Sequence, residues 1–266
     1  MSKFVHAGRS LLDLLIILAI GLVPVASGLL VMSYQLDRKL EENSRVSLNE
    51  AIFAIDRSLD GIHTAALGAL PLASEHCDAV RQKLSGYVSR DQRLHSMMLI
   101  RDGQEFCSSL STSDNLPRLV DTASPVKLLF NAPSMPNSAL VRYQLTKSNP
   151  GVIVTAYGTV LRNELSGFQD GLVLVLKFGE QYIWSAGDSR DPQPPSQSEH
   201  FNRAVSKKYG YTVQGGYPQG FRKEELRQSA VQVLPSLALV GLVTAVIVYW
   251  GIFRNRSKGK RNADGR

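Results

Sequence analysis

Two long apolar runs dominate the chain. Leu11 to Met32 is 22 residues with one charge, Asp13, and Ala230 to Phe253 is 24 residues with none. At about 1.5 Å per residue the first run spans about 33 Å, the thickness of a bilayer core. Both predict transmembrane helices. Tyr249 and Trp250 stand near the end of the second, where an interfacial aromatic belt belongs. Pro24 and Pro235 fall inside the runs and are tolerated in membrane spans. The small-residue pattern Ala26-Ser27-Gly28 raises a cleaved signal peptide as the alternative. The apolar run continues past it to Met32, longer than a signal core of about 7–15 residues, so an uncleaved anchor is expected.

After the first span the period becomes helical. Leu48, Ile52, Ile55, Leu59, Ile62, Ala66 and Ala69 alternate spacings of four and three, one stripe on a helix. The stripe predicts a helix packed on its own domain, with a coiled-coil seam between two copies as the alternative. From His95 the pattern turns to strands. Ser96–Ile100 and Glu105–Leu110 flank Asp102-Gly103, a hairpin turn signal. Further strands are predicted at Ala139–Leu145, Val152–Tyr157, Leu172–Phe178, Tyr182–Ser185 and Tyr209–Gln214. Turn chemistry lies at Asn149-Pro150-Gly151 and Phe178-Gly179-Glu180. Asp188–Ser198 reads as a surface loop and Arg222–Gln228 as a charged helical lead into the second span. The sum is an α+β domain, a long helix plus a mostly antiparallel sheet, between two transmembrane helices. A PAS/Cache-like fold is the expected analogy for such a module.

Charge then sets the topology. The 266 residues carry 30 Lys+Arg and 23 Asp+Glu, a formal +7. The surplus invites a nucleic-acid reading, but its location excludes that. Ser33–Ser229 carries 22 basic and 21 acidic residues, so the excess lies in the flanks. Lys3 and Arg9 precede the first span, and Arg254, Arg256, Lys258, Lys260, Arg261 and Arg266 follow the second. The positive-inside rule puts both termini in the cytoplasm and the central segment on the other side of the membrane. The expected boundaries are 1–10 and 254–266 cytoplasmic, 11–32 and 230–253 membrane, and 33–229 extracytoplasmic. The basic tail is then a topology anchor in contact with membrane lipid.

The chemistry is sparse. No nucleophile elbow, zinc-protease helix, phosphate loop or dinucleotide fingerprint is present. His6, His63, His76, His95 and His200 show no ligand spacing, and His63 is expected on a helix surface. Gly215 to Gly220 is expected as a turn beneath the last strand. Gly241 and Ala245 hint at helix contact between the spans, and Asp13 is expected to reach the membrane interface. No catalytic residue, metal or cofactor is expected. Cys77 and Cys107, both in the central segment, are the only cysteines. In an oxidising compartment a disulfide is expected where geometry allows. It would close a loop of about 30 residues, worth roughly 3–4 kcal/mol in the chain-entropy model. It reads either as a plain staple or as a redox switch. A metal site using His76, Cys77, Cys107 and His95 is the third reading.

Cys107-Ser108-Ser109 follows the Asp-Gly hairpin, with a lone cysteine 30 positions upstream, all between two spans with basic flanks. This resembles the CSS-motif sensor domain of bacterial inner-membrane cyclic-di-GMP phosphodiesterases, over about residues 1–255. The resemblance implies that Cys77 and Cys107 are a redox pair formed by the periplasmic thiol oxidase machinery, with Ser108 and Ser109 completing the motif. It also implies a cytoplasmic EAL phosphodiesterase domain. This chain ends 13 residues after Phe253 without a Glu-Ala-Leu signature; Glu50-Ala51-Ile52 is nearest. The expectation is therefore a sensor without its own enzyme, acting through a partner. That partner is a full-length phosphodiesterase of the family, or a second copy paired through the Leu48–Ala69 helix. The alternatives are a remnant of a truncated phosphodiesterase and a ligand-binding membrane receptor.

Overall fold

A computed structural model describes residues 2–110, 124–145, 150–168 and 171–263, with side chains from 15 to 251. The chain divides into two units, residues 41–219 and a unit made of 1–40 with 220–266. Helix α1, Ser2–Ala69, supplies residues to both.

The central unit is α+β. A 3-10 turn, Leu70–Ser74, follows α1, where Pro71 cannot continue the helix. Helix α2, Cys77–Arg90, leads into strands β1 (Leu94–Arg101) and β2 (Gln104–Ser108). Strands β3 (Val126–Leu129), β4 (Leu140–Gln144) and β5 (Gly151–Tyr157) follow. They form a five-stranded sheet ordered β2-β1-β5-β4-β3, with every pairing antiparallel. Helix α3, Gly158–Ser166, connects to β6 (Val173–Phe178), β7 (Gln181–Trp184), β8 (Glu199–Val205) and β9 (Thr212–Tyr217). These make a second antiparallel sheet ordered β7-β6-β9-β8.

The stripe on α1 joins both sheets in one core. Leu48, Ile55, Leu59, Ile62, Ala66 and Ala69 are buried, and Ile52 packs partly buried beside them. Each large member contributes about 1.5–3 kcal/mol of apolar transfer. The stripe is thus covered by the helix's own domain. Val46, Phe53 and Leu67 are exposed on the same helix.

The strands differ from the expected set in instructive ways. The Asp102-Gly103 turn forms, with both residues at positive φ (51° and 72°). Strands β3 and β8 and helices α2 and α3 are additions. Of the glycines expected in a turn beneath the last strand, Gly220 lies in one, at φ 88°, but the other two do not. Gly215 and Gly216 are in β9, where side chains would collide. A Cβ on Gly216 would lie 2.8 Å from the Gln197 carbonyl oxygen, and one on Gly215 3.0 Å from Leu174. Close packing, not a turn, requires these glycines. The Asp188–Ser198 segment is a loop, but Asp188 is buried, held by Arg162 (2.7 Å) and Arg190 (2.8 Å).

The other unit pairs residues 2–40 of α1 with α4, Phe221–Ala263. Both helices are long and apolar enough to cross a membrane. Gly241 meets Gly21: a Cβ there would lie 2.4 Å from the Gly21 carbonyl oxygen, and one on Gly21 3.1 Å from the Ala245 methyl. Small residues let the backbones approach. Arg222 forms a two-pronged pair with Asp37 (Nη2–Oδ2 2.8 Å) and donates to Ser33 Oγ. The side chains of Asp13 and of the basic residues after Phe253, and Asn149 of the expected turn, lie outside what the structure describes.

Candidate functional site

Cys77 is the first residue of α2, and Cys107 is the penultimate residue of β2. They form a disulfide with Cα atoms 5.2 Å apart. Cys107 is 3% exposed and belongs to the core, whereas Cys77 is only partly buried. The bridge fastens the start of α2 to a strand that also pairs with β1. Met98 faces Ser108 and Leu99 faces Cys107 across that ladder.

The two serines after Cys107 complete the attachment. Ser108 Oγ accepts the Leu110 N–H at 3.2 Å. The Ser109 N–H donates to the Met97 carbonyl at 2.9 Å, and Ser109 Oγ accepts the Met97 N–H at 3.0 Å. The hydroxyl thus replaces a missing ladder carbonyl and keeps a buried donor paired. From α2, Ser85 Oγ donates to the Ser109 carbonyl at 3.3 Å. The motif therefore holds α2, β1 and β2 together at one corner of the sheet.

Two participants escaped sequence reasoning. Arg101, at the end of β1, donates to the carbonyls of Ala73 and Glu75. Its guanidinium sits 4.1 Å over the Phe106 ring. It clamps the turn between α1 and α2. Arg81, one helical turn after Cys77, places Nη2 3.7 Å from Cys77 Sγ. Its i, i+4 spacing to Cys77 was a usable signal once α2 was recognised.

The metal reading is displaced because both sulfurs are committed to the disulfide. His95 instead meets Ser134 Oγ at 3.0 Å. Among the described residues no group of three metal-ligating side chains gathers.

A second polar cluster ties α1 to the segment between β8 and β9. Asp56 accepts from Ser206 (2.8 Å) and Tyr211 (2.7 Å). Asp60 accepts from Lys208 and from Tyr209 (2.5 Å). The Lys208 and Tyr209 hydrogen bonds hold the Asp60 carboxyl below its usual range. Burial, then the neighbouring aspartates, pushes both tyrosine phenols up. His63, expected on the surface, is half-buried with Nδ1 2.6 Å from the Tyr143 hydroxyl.

The family model of the CSS motif domain associated with EAL matches residues 40–230, which contain this bridge and its serines. The chain belongs to that family. Solved sensor domains are also similar to the CSS-motif chain. One is the extracellular domain of rpHK1S-Z16, described as a histidine kinase, with 11% identity and a TM-score of 0.44 over 70% of this chain and 96% of that one. Another is the sensor domain of the V. cholerae histidine kinase DctB, with 13% identity and a TM-score of 0.41 over 68% of this chain and 98% of that one. A comparison with curated protein sequences gives no match.

Proposed function

We propose that this CSS-motif protein is a membrane-anchored sensor of periplasmic thiol–disulfide balance, switched by the Cys77–Cys107 bond. The observation that carries the proposal is the position of the bridge: it joins the helix following α1 to the sheet, and Cys77, unlike Cys107, is only partly buried. Opening it removes a covalent tie from α2 and leaves that corner to the Ser85, Ser109 and Arg101 hydrogen bonds and the packing of Val80 and Leu84. A two-state change there biases the segment through which α1 meets the sheet.

In this reading the two apolar helices, around 11–32 and 230–253, cross a bacterial inner membrane. Both termini are cytoplasmic and the central domain is periplasmic, where the thiol oxidase machinery supplies the disulfide. The output passes to a partner, a cyclic-di-GMP phosphodiesterase carrying the EAL domain. Self-association through the α1 helix uses the face bearing Val46, Phe53 and Leu67, because the 48–69 stripe is packed into the domain's own core.

The test is alkylation of the membrane-bound protein with a thiol-reactive polymer, with and without prior reduction, in cells that have or lack periplasmic oxidase. Two protected thiols that become reactive only without the oxidase are expected. Free labelling in both strains overturns the redox reading.

A further inference from the structure

The two sulfurs of the bridge are chemically unequal. Cys107 is 3% exposed, sits among core residues, and its Sγ lies 3.5 Å from the Cys77 carbonyl oxygen. Cys77 is partly exposed at the first position of α2. Cys77 thus stands at the positive end of the helix dipole, and His76 supplies no side-chain cap to the first-turn amides. The Arg81 guanidinium is 3.7 Å from Cys77 Sγ, and Asp78 in the same turn opposes part of its effect. A thiolate forming at Cys77 has a cation and helix dipoles beside it; one forming at Cys107 has core packing around it.

We propose that thiol–disulfide exchange runs through Cys77 and that Cys107 is the resolving thiol; this rests on the redox reading above. In oxidation the Cys77 thiolate attacks the disulfide of a protein dithiol–disulfide oxidant. A mixed disulfide forms at Cys77, and one oxidant sulfur leaves as thiolate. Cys107, deprotonated as it reacts, then attacks Cys77 Sγ. The Cys77–Cys107 bond forms and the oxidant leaves as a dithiol, two electrons richer. Reduction is the same path reversed: a reductant thiolate attacks Cys77 Sγ and expels Cys107. The Ser85–Ser109 and Ser109–Met97 hydrogen bonds hold α2 and β2 in place, so Cys107 stays near Cys77 through the exchange.

The full-length protein in detergent micelles tests this with glutathione as probe. In the wild type, reduced glutathione is added, the reaction is quenched in acid, and the mixed disulfide is mapped by peptide mass. It is expected on Cys77; the adduct on Cys107 overturns the proposal. Separately, Cys107→Ser and Cys77→Ser report each remaining thiol's rate with oxidised glutathione. Cys77 is expected to react at least about tenfold faster in the folded protein, and the two rates are expected to converge in urea. Equal folded rates, each rising on unfolding, overturn it. A variant that shows no cooperative unfolding transition in urea is already unfolded, and the wild-type map then decides. Arg81→Ala is expected to slow Cys77 about threefold at neutral pH and move its rate profile to higher pH, with Arg81→Lys restoring both. No movement removes Arg81 from the mechanism. A bridge that stays closed in oxidase-deficient cells defeats the switch reading and leaves the rate ratio standing. Equal rates defeat the assignment of Cys77 and leave the switch standing.

Discussion

Reducing the Cys77–Cys107 bond without changing the sequence is the cleanest perturbation of this domain. The closed loop is 30 residues. Releasing it returns about 12 cal/mol/K of chain entropy to the unfolded state, about 3.6 kcal/mol at 25 °C. For a domain of this size that is about 7–14 °C in melting temperature. The native state loses little else directly. Val80 and Leu84 remain buried, Tyr87 Oη still donates to the Gly68 carbonyl (3.1 Å), and Ser85 still holds Ser109. The reduced domain is therefore expected to stay folded while melting lower. Its faster amide exchange should concentrate in the 3-10 turn and the first turn of α2. Thermal unfolding of the full-length protein in micelles, with and without a reductant, gives the shift. Hydrogen exchange at neutral pH gives its location. A shift under about 2 °C would show that the unfolded chain is already compact between residues 77 and 107, and the entropic argument would fail. Loosening spread evenly over both sheets would refute the local picture.

Three further outcomes follow from the contacts. Ser109→Ala leaves the Met97 N–H unpaired and should destabilise by about 1–3 kcal/mol in chemical denaturation, whereas Ser108→Ala, losing a bond at the strand end, should cost about 1 kcal/mol or less. The Asp188 carboxyl, 5% exposed, is held below its usual range, first by the Arg190 hydrogen bonds. Its stabilisation is complete above the unfolded value of about 3.9 and is lost as pH falls through the lower folded value. Asp188→Asn should cost about 2–3 kcal/mol at neutral pH, and the deficit relative to wild type should shrink on acidification in melting experiments. Gly241→Ile places bulk against the Gly21 carbonyl. It should reduce cysteine crosslinking between paired positions on the two apolar helices while leaving the central domain's melting temperature within about 2 °C.

Much of the fold was legible because hydrophobic period reports burial on one face. The 48–69 stripe and the central strands β1, β4, β5 and β6 are where the chain reads most clearly. Strand β8 was illegible because its pattern is inverted. Its inner face carries Asn202, which bonds Glu41 and Ser44 of α1, while Phe201 and Val205 point outward. Helix α2 was readable from Val80, Leu84 and Val88, with Asp78 in its first turn, but lay in the shadow of the cysteine. The cysteines and their serines were visible in the sequence as residues. Arg101 and Arg81 were not, because their partners are carbonyls of a 3-10 turn and a sulfur on a helix that had to be placed first.

The sequence alone determined the two apolar helices, the charge asymmetry around them, the amphipathic stripe and the hairpin carrying Cys107. Each depends on composition or period within a short window. Only the tertiary structure decided that the stripe joins both sheets, that two glycines serve a strand rather than a turn, and that Cys107 is buried while Cys77 is only partly so. Those outcomes depend on what packs against a residue from distant parts of the chain, and no local pattern carries that information.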